Sequence, residues 1–532
     1  MSALPSWADP LPDAEAMRAT DAWAIGERGI PSLELMERAG RGLARVVSHV
    51  APEGVVAIVC GKGNNGGDGL VAGRLLREAG REVRVLLLAE PGDLQGDPAE
   101  NLVRLGLRPD GGFPTAVGAP GVAVIEAFAP ERLAGAAVAV DAILGTGSAG
   151  APRGRALEAI EALNAAGVPV VAADAPSGVD ASTGAVEGVA VQATATATFA
   201  AAKPGLYIAP GKAHAGSVEV IDIGIPPGAP VEAATGLITP AVVEEVPRRD
   251  APGTKFTSGH VLVCGGSHGL TGAPTLAAHA AARAGAGYVT LLIPASLEAT
   301  FELKTLEVMS RAMPEQDGHL GPQAVDAVLS ATARGGALAL GPGLGREEGA
   351  QALAREATRR AEVALVLDAD GLNAHAGRLG EVATRGAATV LTPHAGELAR
   401  LLDVDSGAVA AQRLHHARAA AREAGAVVVL KGDDTIVAAP DGRAAVNAIS
   451  APALATAGTG DVLTGVVAAY LAKGVEPFTA AAAAVVVHAR AGQLAASCHG
   501  REAVIAGDVI AQLGHARTDL GATSALGMHS AS

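Results

Sequence analysis

Aromatic residues are scarce: six Phe, three Tyr and two Trp in 532 residues. That is too few for a stacking platform on single-stranded nucleic acid. The formal net charge of -15 also opposes non-specific binding to a phosphate backbone, so no nucleic-acid partner is expected, although single nucleotides can bind at local sites. The three cysteines, Cys60, Cys264 and Cys498, are odd in number and scattered. They support neither a disulfide framework nor a zinc site, and a reducing cytoplasm is the expected location. No stretch approaches the ~18–20 apolar residues of a membrane span. The longest, Ala480 to Val487, runs straight into His488 and Arg490, so no membrane partner is expected. The opening MSALPSWADPLPDAEAM lacks the basic and apolar regions of a signal peptide. A GxxxxGK[ST] phosphate loop is also missing, which excludes that class of nucleotidase.

What is present is core material, with 49% hydrophobic against 18% charged residues. Short β-type runs alternate with alanine-rich helical stretches, the pattern of an α/β protein with a mostly parallel sheet covered by helices. Runs such as Val55–Cys60, Val83–Leu88, Val138–Val140 and Val168–Ala172 form a first series. The pattern restarts at His260–Cys264 and continues through Ala337–Leu340, Ala364–Leu367 and Val427–Leu430. The Pro-rich segment PPGAPVEAA separates the two series. The expected division is a first domain at 1–228, a linker at 229–237, a second domain at 238–518 and a frayed tail at 519–532.

The run VVAIVCGKGNNGGDGLVAGRLL reads as strand, glycine turn, helix. Gly61, Gly63 and Gly66 formally match GxGxxG, a weak dinucleotide signal. Asn64, Asn65 and Asp68 inside the turn suit a cation or a hydroxylated ligand better than bare pyrophosphate. A plain tight turn with asparagines supporting left-handed backbone is the bland alternative. Asp141 ends the next strand of interest, and Asp174 and Ser177 end another. Strand carboxyl ends of a parallel sheet converge on one edge, where ligands bind. An amide oxygen (Asn65), a carboxylate (Asp141) and a hydroxyl (Ser177) are hard oxygen ligands, fit for a monovalent or alkaline-earth cation. The loop from Gly145 to Gly150 can cradle a phosphate through its N–H groups, and Asp174 is a candidate general acid–base.

GNNGGDGLVAGRLL, VDAILGTG and DAPSGVD, with the opening AMRATDAWAIGERGIPSLELMERAG and the closing KPGLYIAPGKAHAGSVEVIDIGIP, resemble the NAD(P)H-hydrate epimerase family over residues 14–227. The resemblance implies a Rossmann-like three-layer α/β/α fold that interconverts the R and S hydrates of NADH and NADPH. It implies substrate contacts at Asn64, Asn65, Gly66, Gly67, Asp68, Gly145, Thr146, Gly147, Ser148, Ala149, Gly150, Ala151 and Asp174. It places potassium on Asn65, Asp141 and Ser177. Lys62 stands where that family often has Pro.

In the second half, Gly458, Thr459 and Gly460 lead into Asp461 and an apolar helix. Helix N-termini attract anions, so an acid there fits a base that activates a hydroxyl toward phosphoryl transfer. An ordinary Asp cap is the alternative. Asp368 and Asp370 end one strand, His394 and Glu397 follow another, and Lys431, Gly432 and Thr435 a third. Only seven lysines occur in the chain, which draws attention to Lys431. Together GGSHGLTGAPTLAAHAAARAGAGYVTL, ALGPGLG, VLDADGLN, TPHAGE, LKGDDT and PALATAGTGDVLTG resemble the ADP-dependent NAD(P)H-hydrate dehydratases, of ribokinase-like α/β/α fold, over residues 238–516. This implies hydrate contacts at Ala273, Gly343, His394 and Asp461, and nucleotide contacts at Lys431, Gly432, Asp433, Asp434, Thr435 and Gly460, with magnesium accompanying ADP. Ala395 and the pair Ser450–Ala451 depart from that family's usual residues.

The combined expectation is a bifunctional repair enzyme acting on NADHX and NADPHX with ADP, homo-oligomeric and cytoplasmic, using Asp174 and Asp461 as its proton-transfer groups. Two rivals remain at this stage. One is a Rossmann dehydrogenase fused to a ribokinase-like small-molecule kinase. The other is a first domain that only binds a ligand or protein.

Overall fold

The computed structural model describes residues 3–106, 123–249 and 251–529. The chain divides into two compact units, one of residues Pro10–Thr235 and the other of the segment up to Asp9 together with Gly236–Ser532.

The first unit is built on a seven-stranded sheet in which every pairing is parallel. Its spatial order is Ala123–Ala127, Val83–Leu87, Val56–Cys60, Val138–Ala142, Val170–Ala173, Ala195–Phe199, Ser217–Ile221. Numbered along the chain within this sheet, that order is 3-2-1-4-5-6-7. The sheet winds one way from Val56–Cys60 and the other way from Val138–Ala142, and the crevice outside those two strand ends is the switch point where such sheets bind ligands. The strand Val56–Cys60 is buried throughout, and its side chains alternate between two cores. Val56, Ile58 and Cys60 pack with Leu43, Leu70 and Leu76 of helices Ser32–Val50 and Asn64–Glu78. Ala57 and Val59 pack with Ile160 and Leu163 of helix Arg155–Ala165. Two covered faces explain why these strands read as unbroken apolar runs rather than alternating ones. Each fully buried Ile or Leu contributes roughly 1.5–3 kcal/mol.

The second unit carries an eleven-stranded sheet. Its six central and edge strands, Thr389–Leu391, Ala364–Leu367, Ala337–Leu340, His260–Cys264, Tyr288–Pro294 and Met309–Met313, run parallel. Val427–Leu430 joins them in parallel, and Ile436–Ala438 and Ala444–Val446 then add antiparallel. One face is lined by Val261, Val263, Ala337, Ala339, Val366, Val390 and Val429 against the alanine-rich helices Gly272–Arg283, Thr459–Ala472 and Pro477–His499. The alternate residues, among them Leu262, Leu338, Leu365 and Leu430, are also at most 1% exposed, so this sheet too is covered on both sides. Small residues made the close approach possible: a Cβ on Gly465 would lie 2.1 Å from the carbonyl oxygen of Ala277.

Several boundaries differ from the sequence expectation. Strand Ala8–Pro10 stands at one end of the second sheet beside Thr235–Ile238, and the Thr239 hydroxyl donates to the Trp7 carbonyl at 2.6 Å. The opening residues therefore belong with the second unit. Thr235 is buried, so the expected linker already contains strand. Helix Ala506–His529 continues through the expected frayed tail, anchored by buried Leu520 and by Arg490 donating to Asp519 at 2.6 Å; residues 530–532 lie outside the described part. No helix among the described residues is long and apolar enough to cross a membrane.

Candidate active sites at two sheet edges

The turn after Val56–Cys60 needs glycine for steric reasons. A Cβ on Gly61 would sit 2.1 Å from the Ile143 carbonyl oxygen, and one on Gly66 would sit 1.9 Å from that of Gly61. The turn therefore presses against the loop after Val138–Ala142. A cavity of about 930 Å³ opens at this junction, lined by Asn64, Asn65, Asp68, the Gly145–Ser148 stretch and Asp174. Not every expected contact residue faces it. Gly67 packs under Met36, its added Cβ falling 2.6 Å from the sulfur, so it serves helix packing. Ala149 and Gly150 line a small neighbouring recess with Ser148 and Ser177, and Ala151 is exposed.

Asp141, Ser177 and Asn65 do converge. The Asp141 carboxylate accepts from the Ser177 N–H at 2.8 Å and from its hydroxyl at 2.6 Å. The Leu144 N–H donates to the Ser177 hydroxyl at 2.9 Å, and the Asn65 amide donates to the Leu144 carbonyl at 3.0 Å. That leaves the Asn65 Oδ1 buried with no hydrogen-bond partner among the described residues. Burial pushes the Asp141 carboxyl up to about 6, against the hydrogen bonds from Ser177. An orphaned buried oxygen beside a costly buried carboxyl is the environment a bound cation would satisfy.

Asp174 sits at φ 64°, a left-handed position that Asp tolerates better than most residues. Its Oδ2 accepts from the N–H and hydroxyl of Thr146. Its Oδ1 accepts from Lys203 Nζ at 2.5 Å. Burial alone would raise this carboxyl, but the Lys203 ammonium and the bonds from Thr146 outweigh it and hold it below the usual carboxylate range. Sequence reasoning missed Lys203 and Asp21, both of which line the same cavity. The scarcity of lysine was the one signal available for Lys203.

In the second unit, Gly458 caps helix Thr459–Ala472 at φ 90°, and Asp461 stands in its first turn. The buried Thr459 hydroxyl ties the turn to the Leu454 carbonyl at 2.7 Å. Lys431 Nζ donates to Asp368 at 3.0 Å and lies 3.7 Å from Glu397, while Thr464 donates to the other Asp368 oxygen at 2.7 Å. A Cβ on Gly460 would fall 3.5 Å from the same ammonium, so the glycine turn and Lys431 are immediate neighbours. Burial first, then the charges of Asp368, Asp370 and Glu397, push Asp461 up to about 7 in spite of Lys431. His394 caps helix Ala395–Leu402, its Nδ1 accepting from the Gly396 N–H at 3.0 Å while its backbone N–H donates to the Glu397 carboxylate at 2.9 Å. Burial, with Lys431 adding to it, keeps this imidazole below its ordinary range.

Gly343 lies in the loop after strand Ala337–Leu340, and Ala273 in the first turn of helix Gly272–Arg283. Gly343 is in left-handed backbone and its Cβ would lie 3.3 Å from Pro274, and the Ser267 hydroxyl donates to its carbonyl at 3.0 Å. The KGDDT turn is stiff. Thr435 donates to the Gly432 carbonyl at 2.6 Å, and Asp434 accepts from buried Arg413 at 2.8 Å. Asp433 accepts from Ser450 at 2.7 Å. The unusual Ser450–Ala451 pair thus docks on the turn instead of distorting it. Lys431, expected at the nucleotide, has its ammonium on Asp368 and faces the acid cluster around Asp461. Arg413 is a further residue not anticipated from sequence, lying in a helix that reads as surface.

Comparison with known proteins finds a family match in each of the two units. The model of the NAD(P)H-hydrate dehydratase family matches residues 261–513, and that of the YjeF-related protein N-terminus matches residues 32–205. The bifunctional NAD(P)H-hydrate repair enzyme of Moorella thermoacetica is 42% identical over 94% of this chain and 95% of its own. That of Salinibacter ruber is 41% identical over 94% and 95%. Among solved structures, an ADP/ATP-dependent NAD(P)H-hydrate dehydratase from Bacillus subtilis, co-crystallised with ATP and Mg2+, is 29% identical, with a TM-score of 0.46 over 53% of this chain and 98% of that one.

Proposed function

The chain belongs to the bifunctional NAD(P)H-hydrate repair enzymes, and from that premise we propose that Asp174 carries its epimerase step and Asp461 its dehydratase step. The enzyme interconverts the R and S hydrates of NADH and NADPH and dehydrates the S form to NAD(P)H at the expense of ADP. The observation that carries the division of labour is the pair of separate sheet-edge sites, one centred on Asp174 paired with Lys203 and the other on Asp461 beside the Lys431–Asp368 pair.

At the first site, C6 of the hydrate bears a hydroxyl beside the ring nitrogen. Reversible loss of that hydroxyl, or ring opening, erases its configuration. Asp174, held ionised, accepts and returns the proton, and the Gly145–Ser148 loop orients the nucleotide. Potassium would be held by Asn65, Asp141 and Ser177. It would supply positive charge to a cluster whose Asn65 oxygen is otherwise unpaired.

At the second site, Asp461 removes the proton of the C6 hydroxyl. That oxygen then bonds to the terminal phosphorus of ADP, and AMP leaves. The P–O group becomes a good leaving group. Phosphate departs with the C6–O bond, a proton leaves the neighbouring ring carbon, and the double bond reforms. The open N–H groups at the start of helix Thr459–Ala472 face the developing charge. Magnesium bound with ADP would supply further charge neutralisation at the phosphates. A homo-oligomer and a cytoplasmic location belong to the same reading. The 89% and 93% exposure of Leu303 and Leu306, beside edge strand Met309–Met313, supports self-association.

The test is incubation with mixed R and S hydrates, ADP and magnesium, with and without potassium. Recovery of the full reduced-nicotinamide absorbance is expected with potassium. Without it, the S fraction is consumed at the normal rate and the R fraction lags. Asn65→Ala should abolish the response to potassium. Consumption of S alone under every condition would remove the epimerase assignment.

A further inference from the structure

Lys203 is the most buried cation in the first site. It is 1% exposed, yet it lies in a loop after strand Ala195–Phe199 rather than in an ion-pair network on the surface. A buried ammonium is expensive unless each of its donors is satisfied. Here all three are: Asp174 Oδ1 at 2.5 Å, the Thr198 hydroxyl at 2.9 Å and the Phe199 carbonyl at 2.9 Å. Thr198 is itself completely buried, between Ala197 and Phe199 on its strand. The fold has thus placed a hydroxyl inside the sheet to receive this lysine.

Asp174 is not alone in the cavity. Asp68 on helix Asn64–Glu78 and Asp21 on helix Ala14–Gly26 line it as well. Burial and the neighbouring carboxylates push both of them up, Asp68 strongly, with Lys203 opposing. Three acids around one ammonium cannot all be charged at little cost. Geometry decides which one is: only Asp174 touches the lysine. Groups whose surroundings drive their proton affinities apart are the natural acid and base of a site.

Resting on the assignment of epimerisation to the first unit, we propose that Lys203 is a positioning residue for that reaction, clamping Asp174 from beneath in its left-handed conformation so that this carboxylate, rather than Asp21 or Asp68, serves as the base. Lys203 lines the cavity, but its three donors are all engaged within the protein. It acts through Asp174, and the two remaining acids are left to donate a proton or hydrogen bonds to the hydrate. The other charged groups lining the cavity are Arg18, Lys62, Arg153, Arg155, Glu90, Asp93 and Asp97.

The test uses the full chain, so that dehydration of pure S hydrate reports on integrity of the rest of the molecule. Wild type must first show R-to-S conversion; if it does not, the underlying assignment fails and not this proposal. With that established, Lys203→Met is expected to lower the epimerase kcat at least 100-fold with KM changed less than threefold. The acid limb of its pH profile should move upward by more than one pH unit, because Asp174 loses its counter-charge. Lys203→Arg, which keeps the cation, is expected to hold the limb in place with a smaller loss of kcat. If the Met variant does not fold, the Arg variant decides alone: an acid limb displaced as far as one pH unit overturns the proposal. A Met variant within threefold of wild-type kcat, or one with reduced kcat and an unmoved acid limb, overturns it too.

Discussion

Asp461→Asn is expected to reduce ADP-dependent dehydration of the S hydrate by about 10²–10⁴-fold, the range for loss of a positioned general base, while leaving R-to-S conversion untouched. The substitution preserves volume and removes only the ability to take a proton. Asp461 stands among Asp368, Asp370 and Glu397, so losing its charge relieves repulsion and the melting profile should not fall. The wild-type pH dependence carries the sign. With the carboxyl pushed up to about 7, it is protonated and idle in acid. It becomes a base only as pH rises through that value. The kcat/KM for dehydration, which reports the free enzyme, should therefore climb between about pH 6 and 8 and then level. An Asn variant with more than a tenth of wild-type activity, or a wild-type limb near pH 4, would show that another group takes the proton.

The same surroundings explain how much of this site could be read in the sequence. GTGD, the KGDDT turn and the TPHAGE loop each put their chemistry within a few residues, and the topology of a parallel sheet brings strand ends together without further information. Asp461, His394 and Lys431 were legible for that reason. Arg413 was not, because its partner Asp434 is 21 residues away and its own helix is rich in Arg and His. In the first unit, Asn65, Asp141, Asp174 and Ser177 were visible as strand-end motifs, whereas Lys203 and Asp21 were not. The lysine sits 29 residues beyond Asp174 and its role depends on Thr198, hidden in the run ATATF that reads as too polar for a central strand. Strand Ala8–Pro10 escaped notice for a similar reason. Its partner segment lies more than two hundred residues on, as the Trp7–Thr239 bond shows, and nothing local announces a pairing at that separation. Periodicity therefore specified the layers, and steric demands specified the glycines. Pairings between distant, individually ordinary residues had to be seen in the structure.

Asp174→Asn should have an equally large effect on the other activity, about 10²–10⁴-fold on epimerisation. A mixed hydrate pool would then yield the S fraction promptly and the rest only at the solvent rate. Asn accepts left-handed backbone readily, so the change does not strain φ. It does strand the Lys203 ammonium, 1% exposed, without its counter-charge, and breaking a buried pair from one side costs about 3–5 kcal/mol. The first unit should therefore melt earlier while dehydration of S hydrate survives. Two explanations of lost epimerase activity, missing base and loosened unit, are separated by the double variant Asp174→Asn/Lys203→Met. Removing both charges lifts the penalty of the stranded ammonium, so stability should recover beyond the sum of the single changes. Activity should not recover, since no base has returned. Recovery of epimerisation along with stability would show that Asp174 holds the fold together and that the proton is handled elsewhere in the cavity.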